Sequence, residues 1–407
     1  MNKNFKIHGD APFNQCKSIF ELINTLHTSK SAFFAAHDEK KYEKQGNTPR
    51  VTAFYLPQFH AIPENDIAWG KGFTEWTNVT RTLPYFPGHI QPYLPSDLGF
   101  YDLNNSEILR SQIDLATHYG LTGFCFHYYW FQGKKVLQKP LENFLKINPR
   151  NFEFSVCWAN EPWSRRWDGS DRDVIIPQNH SFEYDKNLIF DLIPLMERSN
   201  YIRVNGRPLL ILYRPSLLGG DLKRTVEFWR ATATKKNLGN PLILSGPYGL
   251  SSAQMSINNG VLDGYVQFPP HEFLKYGIKA NIQSMPFLIN NQFKGGLHDS
   301  VMAKNYFTTA DYGGNLVFKC AFPSWDNTAR KRENAAIFCN STPNNFEEWM
   351  KSNLKSVIAE PRYDGLTFVN AWNEWAEGAV LEPSRWYGYA YLTALKNALT
   401  FTSCTDN

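Results

Sequence analysis

The sequence predicts a (β/α)8 TIM barrel with an N-terminal helical extension. From Arg50 onward, short apolar runs alternate with helical stretches, which is typical of βα units that build a parallel sheet. Eight apolar runs of strand length occur, the number that closes such a barrel. The chain has 407 residues, 43% of them hydrophobic, which is enough for one large core. A doubly wound open sheet is the alternative that the same alternation allows.

The predicted strands are short and rich in the β-branched and aromatic residues that strands favour. They span residues 51–56, 123–128, 154–158, 208–213, 242–245, 264–268, 316–321 and 366–371. Apolar residues at helical spacing predict helices over 107–119, 186–197, 222–236, 346–358 and 388–399. Gly120 ends the first of these helices, and the chain then enters the second strand at once.

The first 48 residues differ from the rest of the chain. One helix is predicted over 16–28, with an apolar side formed by Phe20, Leu22, Ile23 and Leu26. The charged, glycine-containing stretch 38–47 is typical of a linker. We expect this segment to pack on the main domain and assign it no chemistry. The predicted organisation is an extension and linker over 1–48, a barrel over 49–400 and a tail over 401–407.

The most informative segment for chemistry is 373–378, with the sequence NEWAEG, which follows the last predicted strand. It places Glu374 and Glu377 three residues apart at a strand end, where barrel enzymes keep their catalytic residues. Paired carboxylates are the usual equipment for glycosidic bonds, because one can donate a proton while the other stays charged. The alternative is a surface loop with two solvated glutamates. Trp372 and Trp375 beside them disfavour an exposed loop.

Polar and aromatic residues recur directly after the predicted strands, so a barrel would bring them to one face. They are Gln58 and His60, Tyr128 to Trp130, Asn160 and Glu161, Tyr213 and Arg214, Gln267 and His271, Trp325 and Asp326, and Asn373 with the two glutamates. Aromatic residues make up 15% of the chain, and their faces stack on sugar rings, although a large aromatic core is the alternative. We therefore predict a carbohydrate site at this face.

Composition argues against several other kinds of protein. The net charge of +4 is spread along the chain, which disfavours a nucleic-acid partner. The ten histidines form no metal-binding motif and no glycine-rich phosphate loop occurs, so we expect neither a metal nor a cofactor. The six scattered cysteines suit a reducing compartment. No membrane-spanning segment or signal peptide is recognised, so we expect a cytoplasmic protein.

Several long motifs resemble the WbsX-like proteins of bacterial surface-polysaccharide clusters. They are FYLPQFH (54–60), WGKGFTEWTNV (69–79), GFYD (99–102), HYYWF (127–131), CWANE (157–161), WDG (167–169) and NEWAEG (373–378). The likeness covers residues 50 to 400. That family is similar to the endo-α-1,2-mannosidases of glycoside hydrolase family ninety-nine, which are TIM barrels. This resemblance supports the predicted fold.

The resemblance also implies a retaining mechanism without an enzyme nucleophile. In the endomannosidases, one glutamate deprotonates the sugar 2-hydroxyl, which attacks C1 to give a 1,2-anhydro sugar. A second glutamate, three residues on, protonates the leaving oxygen and later activates water. On this sequence, Glu374 would be the base and Glu377 the general acid/base. Ala376 stands where the endomannosidases typically carry a histidine. The resemblance therefore implies the catalytic pair more clearly than it implies the substrate.

Other side chains are candidates for sugar contacts, and each has a structural alternative. Glu161 could bind hydroxyls or form a salt bridge to Arg165 or Arg166, and a lone histidine such as His60 or His127 is often a structural residue. The predicted substrate-binding residues are Tyr55, Gln58, His60, Trp69, Lys71, His127, Tyr129, Trp130, Trp158, Asn160, Glu161, Trp167, Asp168, Tyr213, Trp325, Asn373 and Trp375.

We predict a glycan-active enzyme, specifically a retaining glycoside hydrolase that acts on an oligosaccharide or polysaccharide in bacterial surface polysaccharide or O-antigen metabolism. One alternative is a glycosyltransferase of lipopolysaccharide or capsule biosynthesis, which the absence of a nucleotide-binding motif disfavours. The other is a non-catalytic glycan-binding protein, which the presence of both glutamates disfavours. The sequence leaves the sugar, the linkage and the oligomeric state open.

Overall fold

Eight parallel strands form the central barrel of the computed structural model, which describes residues 18–44, 48–165, 173–246, 256–275 and 288–404. The strands are β1 (Arg50–Tyr55), β2 (Gly123–Phe131), β3 (Glu153–Trp158), β4 (Arg207–Leu212), β5 (Leu242–Ser245), β6 (Gly264–Val266), β7 (Val317–Phe318 and Cys320–Ala321) and β8 (Leu366–Val369). Each predicted strand overlaps one of these eight, so the strand predictions are confirmed.

The ring of strands closes at β7, which is interrupted at Lys319. Strands β1 to β6 are neighbours in chain order. The first piece of β7 pairs with β6, where Tyr265 is opposite Val317, and the second pairs with β8, where Cys320 is opposite Phe368. Because β8 also pairs with β1, the continuous chain at Lys319 completes the barrel. The predicted (β/α)8 barrel is confirmed, and the open-sheet alternative is wrong.

Helices surround the barrel, and short hairpins and turns decorate its ends. The helices of the described residues are α1 (Ile19–Thr28), α2 (Pro63–Trp69), α3 (Trp76–Thr80), α4 (Ser106–His118), α5 (Lys139–Ile147), α6 (Phe182–Asp185), α7 (Leu188–Met196), α8 (Leu222–Lys235), α9 (His271–Lys275), α10 (Ser300–Thr309), α11 (Thr328–Lys331), α12 (Pro343–Ala359) and α13 (Ala390–Cys404). Shorter strand pairs join Lys134–Val136 to β2, Arg203–Val204 to β4, Trp163–Ser164 to Val174–Ile176, and Gly296–Asp299 to Ala336–Cys339. Within the described ranges, no helix has both the length and the apolarity that crossing a bilayer requires.

Helix ends follow local hydrogen bonding as well as the apolar pattern. α12 begins three residues before its predicted start, because the Thr342 side chain accepts the backbone N–H of Asn345 and Pro343 occupies the first turn. α4 begins after Asn105, whose side chain accepts the backbone N–H of Glu107. α13 continues to Cys404, so it includes residues that the sequence analysis assigned to a tail.

Strand alternation decides which side chains can reach the barrel interior. Cys125 and Cys157 lie in the apolar cluster that fills the barrel, whereas Phe124 belongs to the cluster under the helices. Both cysteines are free and buried, as the sequence predicts. His127 and Tyr129 share the parity of Cys125, so they continue the inner face of β2 toward its carboxyl end. The barrel interior thus leads directly into the site.

The described part of the N-terminal extension packs on the barrel through the last helix. α1 begins where the Ser18 side chain and the Glu21 side chain form a reciprocal capping box. Its inner side buries Leu22 and Leu26 as predicted, whereas Phe20 is 79% exposed, so the prediction for Phe20 is wrong. Farther along, the carboxylate of Asp38 binds the ammonium group of Lys396 on α13.

Candidate active site

A cleft of about 420 Å³ opens at the carboxyl ends of the barrel strands. This is the face where barrel enzymes place their catalytic groups. The predicted site residues that line the cleft are Gln58, His127, Tyr129, Glu161, Tyr213, Trp325, Glu374 and Glu377. Residues from the ends of six different strands therefore meet in one cavity.

The segment that carries the two glutamates is a tight turn after β8. Asn373–Glu374 pairs antiparallel with Ala379–Val380, and Trp375–Glu377 forms a 3-10 turn between them. Gly378 closes the turn with a φ of 64°, which glycine adopts without strain. Both glutamate side chains consequently face the cleft.

Asn373 and Trp375 are predicted substrate-binding residues, but their side chains anchor this turn. The Asn373 side chain accepts the N–H of Leu56 at 2.8 Å and donates to the carbonyl oxygen of Leu56 at 3.0 Å. Trp375 Nε1 donates to the buried carboxylate of Glu382 at 2.7 Å. Burial raises the pKa of Glu382 to about 7. These bonds tie the turn that carries the two glutamates to the end of β1 and to the core.

Arg330 on α11 joins both glutamates to a third carboxylate. Its Nη1 lies 2.8 Å from Glu377 Oε1, and its Nη2 lies 2.9 Å from Glu374 Oε2. Its Nε donates to Glu75 Oε1 at 3.2 Å, and its Nη2 also binds Glu75 Oε2. The Glu75 side chain is fully buried, and Glu377 is the most exposed of the four at 17%. One guanidinium thus serves three carboxylates inside the protein.

This crowding changes the protonation of Glu374. Burial raises the pKa of Glu374 to about 8, with the Glu377 and Glu75 carboxylates acting in the same direction and Arg330 opposing them. Burial lowers the pKa of Arg330, but the three carboxylates raise it further than burial lowers it. Arg330 therefore stays charged, and Glu374 holds its proton at neutral pH in the free protein. A carboxyl group that is protonated near neutral pH, with a second carboxyl on the same turn, is equipped for acid–base catalysis.

Neutral polar groups and ring faces complete the cleft walls. Gln58 Nε2 donates to the hydroxyl of Tyr129 at 2.7 Å. Burial lowers the pKa of His127 to about 3, so this imidazole is neutral at physiological pH. Trp163 packs edge-on against Tyr129, with ring centroids 4.9 Å apart. Neutral hydrogen-bonding groups beside aromatic rings suit sugar hydroxyls and the C–H faces of sugar rings.

Glu161 lines the cleft and forms an ion pair with Arg214. The sequence analysis considered Arg165 and Arg166 as partners, and the structure adds Arg214 from the end of β4. Asn160 fixes this contact, because its side chain accepts the N–H of Arg214 at 2.7 Å and donates to the carbonyl oxygen of Arg214 at 2.8 Å. Glu161 is therefore a cleft residue, and the predicted site residue Asn160 is a buried support for it.

Tyr55, Trp130 and Trp158 point away from the cleft, toward the helices. Each is one residue out of phase with the inward-facing side chains of its strand. Trp130 Nε1 donates to Asp191 at 2.7 Å, Trp158 Nε1 donates to the carbonyl oxygen of Trp130 at 3.1 Å, and the Tyr55 hydroxyl donates to Gln112 at 2.8 Å. These side chains pack and bond inside the protein, so we propose no substrate contact for them.

Three other predicted residues do not line the cleft. His60 is buried, and its burial lowers its pKa to about 4. Trp69 stacks on Phe73 with ring centroids 5.0 Å apart, and Lys71 is exposed to solvent. Trp167 and Asp168 lie outside the described residues.

Sequence reasoning missed Glu75 and Arg330 as members of the site. Glu75 lies inside the motif 69–79, and a carboxylate among so many aromatic residues was a usable signal. Arg330 begins a basic run five residues after Trp325, which the sequence analysis had placed at a strand end. In the described part of the chain, no cluster of His, Cys, Asp and Glu side chains is arranged to hold a metal ion.

The fold and site define a (β/α)8 barrel protein with a carboxylate-bearing cleft, and comparison with known proteins places it more closely. The family model described as Glycosyltransferase WbsX matches residues 51–395. The chain belongs to this family, so the resemblance predicted from its motifs is confirmed. The chain is also 40% identical over 351 residues to the protein WxcX of Xanthomonas campestris pv. campestris, in two strains. This match covers 86% of the chain and 49% of WxcX, so the chain spans about half the length of the curated relatives it matches.

Solved structures share the fold at low sequence identity. The GH99 endo-alpha-mannosidase of Bacteroides thetaiotaomicron has a TM-score of 0.54 and 13% identity, with 89% of this chain and 99% of that chain covered. The same enzyme in complex with bis-tris propane has a TM-score of 0.52 and 12% identity over the same shares. A glycoside hydrolase-like protein has a TM-score of 0.52 and 14% identity, with 90% and 98% covered. These likenesses concern the barrel fold.

Proposed function

We propose that this protein is a glycan-active enzyme, a retaining glycoside hydrolase in which Glu374 and Glu377 are the catalytic residues. The observation that carries the proposal is the meeting of both glutamates in one cleft, bridged by Arg330 at 2.9 and 2.8 Å. A buried carboxylate pair that shares one proton can supply the base and the acid of glycosidic bond cleavage. The shared fold with the endomannosidases supports the same assignment.

The proposed reaction has two steps. In the first, the sugar 2-hydroxyl gives its proton to Glu374 as its oxygen attacks C1, while the bond from C1 to the leaving oxygen breaks and that oxygen takes the proton of Glu377. In the second, water attacks C1 as the C1–O2 bond breaks. The water gives a proton to Glu377, and O2 recovers its proton from Glu374. Two inversions at C1 give net retention.

The first step requires Glu374 to be ionised, whereas its pKa of about 8 keeps it protonated in the neutral free protein. We propose that substrate binding moves the shared proton to Glu377. A 2-hydroxyl that donates a hydrogen bond to Glu374 favours the charged form of that carboxylate. The leaving oxygen beside Glu377 favours a protonated partner there. Substrate binding would in this way convert the resting pair into base and acid.

The remaining cleft residues have proposed roles in binding. The ring face of Tyr213 is a candidate for stacking on a sugar ring, while Gln58, His127 and Tyr129 offer hydrogen bonds to hydroxyls. We propose an oligosaccharide or polysaccharide of bacterial surface polysaccharide metabolism as the substrate, on the strength of the family.

A glycosyltransferase is the second candidate, and the description of the family favours it. A nucleotide-sugar donor carries a diphosphate, which needs cations that are available to it. Among the described residues that line the cleft, the cationic side chains are Arg330 and Lys331, and Arg330 is already bound by three carboxylates. Glu374, Glu377 and Glu161 line the same space, and carboxyl groups of this kind suit the hydroxyls of a glycan better than a nucleotide diphosphate.

The test is reducing-end release from a panel of α-linked bacterial and mannan oligosaccharides. Wild type is compared with Glu374→Gln and Glu377→Gln, and with Glu227→Gln as a matched control for an exposed glutamate on α8. We expect turnover by wild type and the control, loss of at least about 100-fold in either site variant, and retained anomeric configuration in the product. Transfer from a nucleotide sugar without release from any glycan would favour the transferase instead.

A further inference from the structure

Glu75 lies directly before α3 and holds Arg330 with both of its carboxylate oxygens. Oε1 accepts from Arg330 Nε at 3.2 Å, and Oε2 accepts from Nη2. A two-pronged contact of this kind fixes the plane of the guanidinium as well as its position. The remaining contacts then follow, because Nη2 also reaches Glu374 and Nη1 reaches Glu377. The orientation of Arg330 between the two catalytic glutamates therefore depends on Glu75.

The backbone around Glu75 is firmly held. Trp76 begins α3, and its Nε1 donates to the carbonyl oxygen of Tyr101 at 2.8 Å. The ring of Trp76 also packs on Trp375 in the catalytic turn, with centroids 5.8 Å apart. Glu75 thus stands on a segment that contacts the turn carrying the glutamate pair, as a positioning residue requires.

The charges of the cluster do not balance. Arg330 supplies one positive charge to Glu75, Glu374 and Glu377, and the exposed fractions of the four side chains are 11%, 0%, 8% and 17%. Full ionisation would leave an excess of two negative charges in a buried space, which like-charge repulsion and desolvation both disfavour. The titratable neighbours of the cluster include Lys331, a cation that lines the same cleft. Tyr129 faces Glu374. His127, which is neutral, faces both Arg330 and His271.

We propose that Glu75 is a positioning residue that acts through Arg330: it holds the guanidinium between Glu374 and Glu377, and its charge keeps one proton on that pair. The catalytic meaning of this inference rests on the proposed function. The proton is bound in the free protein, so its titration can be measured without a substrate.

Two variants separate geometry from charge. Glu75→Gln keeps the reach of the side chain and removes its charge, whereas Glu75→Asp keeps the charge and withdraws it from the guanidinium. Tm is measured from pH 5 to 9 for wild type, both variants and Glu374→Gln. The pH-dependent part that Glu374→Gln abolishes reports the titration of the pair. Glu161→Gln is the matched control, because it removes a carboxylate of the same cleft that pairs with Arg214 instead.

We expect the midpoint of this titration to fall by about one pH unit in Glu75→Gln, because one repelling charge is gone. The midpoint should stay at its wild-type value in Glu161→Gln. A Glu75→Gln variant whose Tm is displaced equally at every pH, with an unmoved midpoint, would show a merely structural role and overturn the charge half of the proposal.

Glu75→Asp tests whether Glu75 positions Arg330. This variant gives a result even if Glu75→Gln does not fold. With the guanidinium no longer oriented, we expect kcat on the active glycan to fall about tenfold or more with KM little changed. Wild-type kcat in Glu75→Asp would overturn this half. If no glycan is turned over by any form of the protein, the proposed function fails while the titration result still stands, so the two failures are distinguishable.

Discussion

Asp326 donates its backbone N–H to the carbonyl oxygen of Glu377 at 2.7 Å, which ties the loop after β7 to the glutamate-bearing turn after β8. The Asp326 carboxylate in turn accepts from His89 Nε2 at 2.8 Å and from Gln91 Nε2 at 2.7 Å. His89 Nδ1 accepts the backbone N–H of Tyr85 at 2.9 Å, so Nε2 carries the ring proton. The backbone of the proposed acid is thus held by a buried network.

A side chain at Gly378 would crowd the backbone of Asp326 in this network. A Cβ there would lie 3.0 Å from the backbone nitrogen of Asp326, in addition to the strain of a φ of 64°. We expect Gly378→Ala to lower the free energy of unfolding by about 2 kcal/mol or more, measured by urea denaturation. Gly133→Ala is the matched control, since its φ is 96° with open space around it.

The control should lose only the cost of the backbone conformation, about 1 kcal/mol. Equal losses in the two variants would show that the contact with Asp326 adds nothing. The geometry predicts a further difference, because only Gly378→Ala should reduce turnover.

Glu374 should make the protein less stable as the pH rises. Its pKa is about 8 in the folded protein and near the ordinary value of 4.5 when unfolded. The folded state therefore holds the proton more tightly, so its stabilising effect is complete below about pH 4.5 and is lost as the pH rises through 8. We expect Glu374→Gln to gain Tm relative to wild type as the pH increases from 5 to 9.

This difference between the two proteins isolates Glu374 from other groups, such as Glu382, whose pKa burial also raises. Glu227→Gln, at an exposed position, should run parallel to wild type across the range. A constant offset between Glu374→Gln and wild type would contradict the raised pKa.

Asn373 should be needed for the fold as well as for the site. Its side chain satisfies both the N–H and the carbonyl oxygen of Leu56, all within buried structure. Asn373→Ala would leave two buried backbone groups without these partners, so we expect a loss of about 2–4 kcal/mol in the free energy of unfolding. Asn187→Ala removes one exposed local bond and should cost less than about 0.5 kcal/mol. An equally small loss at Asn373 would contradict its anchoring role.

The barrel could be predicted because its strands are apolar runs of the right length, separated by helical patterns. Helices such as α3, with five residues, are too short for an apolar period to be recognised. α5 was missed although Pro140 in its first turn is a common signal of a helix start. Helices without a long apolar period were therefore not predicted from the sequence.

The site was only partly predictable because its members meet through the closed barrel. Glu374 and Glu377 share one short turn, so a local motif revealed them. Glu75 and Arg330 are 255 residues apart in the chain, and nothing local indicates that they pair. The misplacement of Trp130 has a simpler cause, since a shift of one residue along a strand reverses the direction of its side chain.

The central claim, that Glu374 is the base and Glu377 the acid, is tested most directly with the α-glycosyl fluoride of the sugar that the panel identifies. Fluoride leaves without needing a proton, so the first step requires the base but not the acid. We predict that single-turnover fluoride release by Glu377→Gln stays within about tenfold of wild type, while Glu374→Gln loses at least about 100-fold. Release that survives in Glu374→Gln and is lost in Glu377→Gln would contradict the assignment.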